Sequence, residues 1–152
     1  KIEDEAWNEE GQHYASAMGG SHLDASLLQM IDLGFLKPED ERFQMTFAAI
    51  EKGLRRGEHM LRYDAEDDFG LPETAFNICT FWLMEALHLA GREEEARNLF
   101  ETMLSHRTKS GLLSEDLDFN NGELWGNFPQ TYSLVGIINC ATLLSRPWSV
   151  IR

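Results

Sequence analysis

Residues 73–90 read ETAFNICTFWLMEALHLA, and Phe76, Ile78, Cys79, Phe81, Trp82, Leu83 and Met84 place apolar side chains on every side of a helix. A helix without a polar face must be enclosed by others. The segment after it is of another kind. Gly91 ends the apolar run in the manner of a C-cap. Residues 92–103 then set Ala96, Leu99, Phe100, Met103 and the adjoining Leu104 on one stripe, with Glu93, Glu94 and Glu95 at the positive end of the helix dipole. Upstream the two kinds recur: 23–36 (LDASLLQMIDLGFL) is apolar on nearly every side, and 39–55 is amphipathic through Phe43, Phe47, Ile50 and Leu54. Downstream, Pro129 opens a third apolar helix reaching Leu144. No strand series is legible.

Alternation of enclosed and one-faced helices is satisfied by two concentric helical layers. An αα-toroid fits this all-α pattern, and so does a plain helical bundle. Three inner helices are too few for a ring, so the chain reads as one helical domain, 1–152, forming part of one. Its open edge would leave apolar surface for self-association or for a missing half. The chain begins at Lys1 rather than Met, as a piece of a longer protein would.

Thirteen Lys and Arg against 26 Asp and Glu give a net charge of −13, a field that repels nucleic acid and anionic membrane surfaces. No apolar run approaches the roughly 20 residues that a membrane helix needs. Cys79 and Cys140 stand far apart in apolar surroundings, which suits buried free thiols in a reducing compartment; with no leader visible, the cytoplasm is the expected location. The five histidines show no helical ligand spacing and there is no Cys-x-x-Cys, so no catalytic metal is expected. Phosphate-binding loops and Gly-x-Ser-x-Gly elbows are missing too, and no cofactor is implied.

Two polar loops remain, each following an amphipathic helix and leading into an apolar one. The first runs Arg62-Tyr63-Asp64-Ala65-Glu66 to Pro72-Glu73. The second runs Gly111-Leu112-Leu113-Ser114-Glu115-Asp116 to Gly122-Glu123-Leu124-Trp125-Gly126-Asn127-Phe128-Pro129-Gln130-Thr131-Tyr132. Both should open at the same end of the helical layers. Carboxylates beside aromatic rings suit a sugar, whose hydroxyls need acceptors and whose faces stack on rings.

The second loop, together with Trp7-Asn8-Glu9-Glu10, Leu23-Asp24-Ala25-Ser26-Leu27-Leu28 and Ala75-Phe76-Asn77-Ile78-Cys79-Thr80-Phe81-Trp82 in that order, resembles glycoside hydrolase family 15, which holds glucoamylases, glucodextranases and some trehalases. The resemblance implies the C-terminal half of an (α/α)6 barrel and an inverting mechanism run by two carboxyl groups roughly 6.5–9.5 Å apart. Glu115, in the Ser-Glu motif, matches the family's general base. Arg62, of the Arg-Tyr pair Arg62-Tyr63, matches an arginine that bonds sugar hydroxyls, and Phe76, Trp125 and Tyr132 are implied as further sugar contacts. Tyr132 stands where distant members carry Trp, offering a hydroxyl in place of an indole. The family's general-acid motif has no match here, so the isolated chain is expected to be inactive. Sequence puts release of glucose from α-linked oligosaccharides slightly ahead of trehalose cleavage. A non-catalytic helical module that binds a protein partner is the reading from another class.

Overall fold

The enclosed helix lies at the centre, as its composition demands. The structure is a computed structural model that describes residues 1–66, 68 and 70–145, leaving Asp67 and Phe69 of the first loop outside. In chain order its elements are α1 (Ile2–Glu5), β1 (Trp7–Asn8), β2 (His13–Tyr14), a 3-10 turn (Ala25–Leu28) running into α2 (Gln29–Asp32), α3 (Glu41–Leu54), β3 (Arg55–Arg56) and β4 (His59–Met60). They continue with β5 (Ala75–Phe76), α4 (Asn77–Leu89), α5 (Glu93–Ser105), β6 (Asp116–Leu117), β7 (Leu124–Trp125) and α6 (Thr131–Ser145).

Ten of the 13 residues of α4 are buried. It packs on α5, α6 and the 3-10 turn with α2. Its C-terminus closes with Gly91 at φ +81°: the Gly91 N–H donates to His88 O (3.0 Å) and the Arg92 N–H to Leu87 O (2.8 Å). That pair of bonds is a Schellman motif, and it reverses the chain into α5. The amphipathic helices bury the expected stripes, Phe43, Phe47, Ile50 and Leu54 in α3 and Ala96, Leu99 and Met103 in α5. Phe100 and Leu104 are half-buried. Arg55 and Arg92 bridge Glu51 of α3 to Glu95 of α5 at 2.6–2.8 Å.

Three expectations are corrected. The helix read over 23–36 is only the 3-10 turn and α2. The Asp24 carboxylate accepts the Ser26 N–H at 2.7 Å, and Gly34, at φ +69°, ends the run while Leu33 stands 78% exposed. Apolar content marked the burial, but Gly34 set the stop. Next, α6 is not enclosed: Gly136, Cys140 and Leu144 are buried, whereas Tyr132, Val135 and Ile138 are 47%, 42% and 63% exposed. It also starts at Thr131, two residues beyond Pro129.

Short strands do occur, among the described residues in three antiparallel sheets: β1–β2, β3–β4 and β5–β6–β7. Each strand is two residues long, too short to leave an alternating pattern in sequence. The strand β5 also explains why α4 begins at Asn77 and not at Glu73. Cys79 and Cys140 are both free and buried, and burial pushes both thiols up. No helix among the described residues is long and apolar enough to cross a membrane.

Candidate active site

The three-stranded sheet brings the two polar loops together. Its central strand β6 pairs with β5, at the head of α4, and with β7: Phe76 and Trp125 both stand opposite Asp116. Ladder bonds extend one residue further, for the Asn77 N–H donates to Glu115 O (3.0 Å) and the Glu115 N–H to Asn127 O (2.9 Å).

Ser114 fixes the backbone under Glu115. Its carbonyl accepts from the Asn77 side-chain amide at 2.9 Å and from the Ser133 hydroxyl at 2.7 Å. Asn77, Ser114 and Ser133 are all buried. One peptide group thereby ties the first turns of α4 and α6 to the second loop, and the Ser114 hydroxyl itself donates to the Asp116 carbonyl across Glu115.

The Glu115 carboxylate is then held by three donors. Oε2 accepts from the Asn127 backbone N–H (3.2 Å) and from Asn127 Nδ2 (2.8 Å), and Oε1 accepts from Gln130 Nε2 (3.3 Å). Gly126, at φ +76°, makes that clasp possible. A Cβ there would lie 3.0 Å from both Cβ and Oε2 of Glu115. A carboxylate offers about four acceptor directions, so among the described residues the clasp leaves one for a further donor.

Glu115 faces a cavity of about 910 Å³ together with Arg62, Tyr63, Phe76 and Trp125, with Glu66, Glu73, Thr74 and Asp116 also on its walls. Five of the six site residues expected from sequence therefore share one space. Tyr132 does not line it. Its ring meets Phe76 and Trp82 edge-to-face at centroid distances of 6.4 and 6.0 Å, and it lines a neighbouring cavity of about 420 Å³ between α2, α4 and α6. The Arg62 Nε donates to both oxygens of Asp24 (2.9 and 2.8 Å), and its Cζ lies 5.5 Å from the Trp82 ring centre. Burial opposes the charge on Arg62, but the Asp24 carboxylate more than offsets it and holds the guanidinium above its ordinary range.

Asp24, Asp116, Asn127 and Gln130 complete the site and were not singled out from sequence. Burial pushes the Asp116 carboxyl up to about 6, Glu115 beside it adds to the rise, and a hydrogen bond from Thr74 opposes it. Among the described residues no three His, Cys, Asp or Glu side chains gather as a metal site requires. Because Asp24 both caps the 3-10 turn and holds Arg62, Asp24→Ala should destabilise the intact protein by about 0.5–2 kcal/mol through the cap alone, read by urea unfolding.

Comparison with known proteins decides the family. The family model for glycosyl hydrolases family 15 matches residues 1–142. The chain belongs to this family. Among similar relatives of this family 15 chain are a trehalase of Thermoplasma acidophilum, 37% identical over 94% of the chain and 26% of the relative, and one of Mycobacterium tuberculosis, 34% identical over 88% and 20%. The chain thus spans about a quarter or less of the curated relatives' length. Among solved structures, a wild-type glycosidase superposes with a TM-score of 0.80 at 22% identity, over 94% of this chain and 41% of that one. A variant glycosidase in complex with glucose superposes as well, at 21% identity. The fold is shared with about two fifths of those glycosidase chains.

Proposed function

We propose that this chain is the base-bearing portion of the catalytic barrel of an inverting α-glucosidase acting on trehalose. The observation that carries the proposal is the clasped Glu115 carboxylate facing a cavity lined by arginine and aromatic rings, in a family 15 chain. Similar relatives are named trehalases, which puts trehalose ahead of the oligosaccharides expected from sequence.

In this reading the acceptor direction left on Glu115 takes a water. Glu115 removes a proton from that water as its oxygen attacks the anomeric carbon, and the bond to the leaving sugar breaks on the opposite face. Asn127 and Gln130 keep the carboxylate from rotating away. Arg62 has one N–H on Asp24 and carries four more on its two Nη atoms, which bond sugar hydroxyls. Tyr63, Phe76 and Trp125 supply ring faces, and Tyr132 adds its hydroxyl from the neighbouring cavity. The carboxylic acid that protonates the leaving oxygen comes from elsewhere in the intact enzyme, so the 152-residue chain alone releases no glucose.

The architecture that supports this is about half of an (α/α)6 toroid, its C-terminal portion, with α2, α4 and α6 inside and α3 and α5 outside. The exposed edge of α6 then meets the rest of the barrel, or a second copy of the chain. A cytoplasmic location, suggested by two free cysteines, belongs to the same proposal.

The test compares glucose release by the intact enzyme from trehalose and from maltotriose. A higher kcat/KM on trehalose is expected. Preference for maltotriose would make the enzyme glucoamylase-like.

A further inference from the structure

Asp116 has a placement that the mechanism above does not use. It sits on the central strand of the site sheet, directly opposite Phe76 on one side and Trp125 on the other. Residues directly opposite in antiparallel strands project from the same face. Phe76, Asp116 and Trp125 therefore form one row across the sheet, ring, carboxylate, ring, and all three line the large cavity. Trp125 is 53% exposed within that row. A sugar ring lying along such a row turns its faces to the aromatics and its hydroxyl edge to the acceptor between them.

We propose that Asp116 is a substrate-binding residue that accepts hydrogen bonds from hydroxyls of the glucosyl unit lying across Phe76 and Trp125, and thereby governs KM. The inference rests on the reading of this cavity as an α-glucoside site. In the mechanism proposed above the base is Glu115, held by the Asn127–Gln130 clasp, whereas Asp116 lies outside that clasp and receives a bond from Thr74. Thr74 satisfies only part of the carboxylate, and burial in the cavity wall is unfavourable for acceptor directions left without donors; sugar hydroxyls supply them.

The charged and titratable groups around Asp116 are Glu115, its neighbour in the chain, Arg62, Tyr63, Glu66 and Glu73 from the first loop, and Cys79 from α4. Burial, with the Glu115 charge adding to it, pushes the Asp116 carboxyl up to about 6. The sign follows from which form accepts. Hydroxyl donors favour the ionised carboxylate, so substrate binding is strong above that value and weakens as pH falls through it.

The experiment uses the intact enzyme with trehalose as the probe, measuring kcat and KM separately from pH 4.5 to 8. Asp116→Ala should raise KM about 10- to 100-fold, the range for a hydrogen bond to a charged group, with a smaller change in kcat. Asp116→Asn keeps the shape of the side chain and should make KM nearly independent of pH around 6, where the wild-type KM rises on acidification. Either variant with wild-type KM and a wild-type pH profile overturns the proposal, even though the enzyme reading would stand. A wild-type enzyme that cleaves no α-glucoside overturns that reading and this inference with it.

Discussion

Glu115→Gln in the intact enzyme is expected to lower kcat by about 10²–10⁴, the range for loss of a general base, with KM close to the wild-type value. The amide fills the same volume but has no basic oxygen. It also meets three donors with one fewer acceptor: Asn127 approaches one oxygen and Gln130 the other. The second effect moves the side chain a little, whereas the first removes the proton acceptor outright, so the chemical step carries the loss. Steady-state kinetics on trehalose checks this. A variant as fast as wild type would favour the protein-interaction reading, which is indifferent to this carboxylate.

The largest effect on stability is expected at Phe81. Its ring is fully buried in α4 and rests on Gly136 of α6, where an added Cβ would lie 2.4 Å from Cδ2 of the ring. Phe81→Ala opens a cavity between the two helices and should cost about 3–5 kcal/mol. Gly136→Ala overpacks the same contact and should cost about 1–3 kcal/mol. Since the added methyl enters space that the ring vacates, the double variant should lose less than the sum of the two. Urea unfolding followed by tryptophan fluorescence measures all three. Strict additivity would mean that the ring and the glycine do not share a packing contact.

Much of this was legible in the sequence because burial leaves a compositional trace. The absence of any polar face marked α4, and single apolar stripes marked α3 and α5. The trace failed where local chemistry decides. Gly34 stopped the helix after Asp32, and two-residue strands are too short to show a period. At the site, Glu115, Arg62, Tyr63, Phe76 and Trp125 were legible through motif resemblance, and the structure gathers them around one cavity. Their supports were not. Asp24 reaches Arg62 across 38 positions of sequence, Asn127 reaches Glu115 across 12, and only folding makes them neighbours. Asp116 was hidden by ordinariness, one acidic residue among 26, until the sheet register set it between two rings.

The most direct test of Glu115 as base of a single displacement is the anomeric form of the glucose first released from trehalose, followed by proton NMR in the intact enzyme. Both anomeric carbons of trehalose are α. Attack by water on one face inverts one sugar and leaves the other unchanged, so α- and β-glucose should appear in equal amounts before mutarotation. Release of α-glucose alone would contradict a base-assisted single displacement at Glu115.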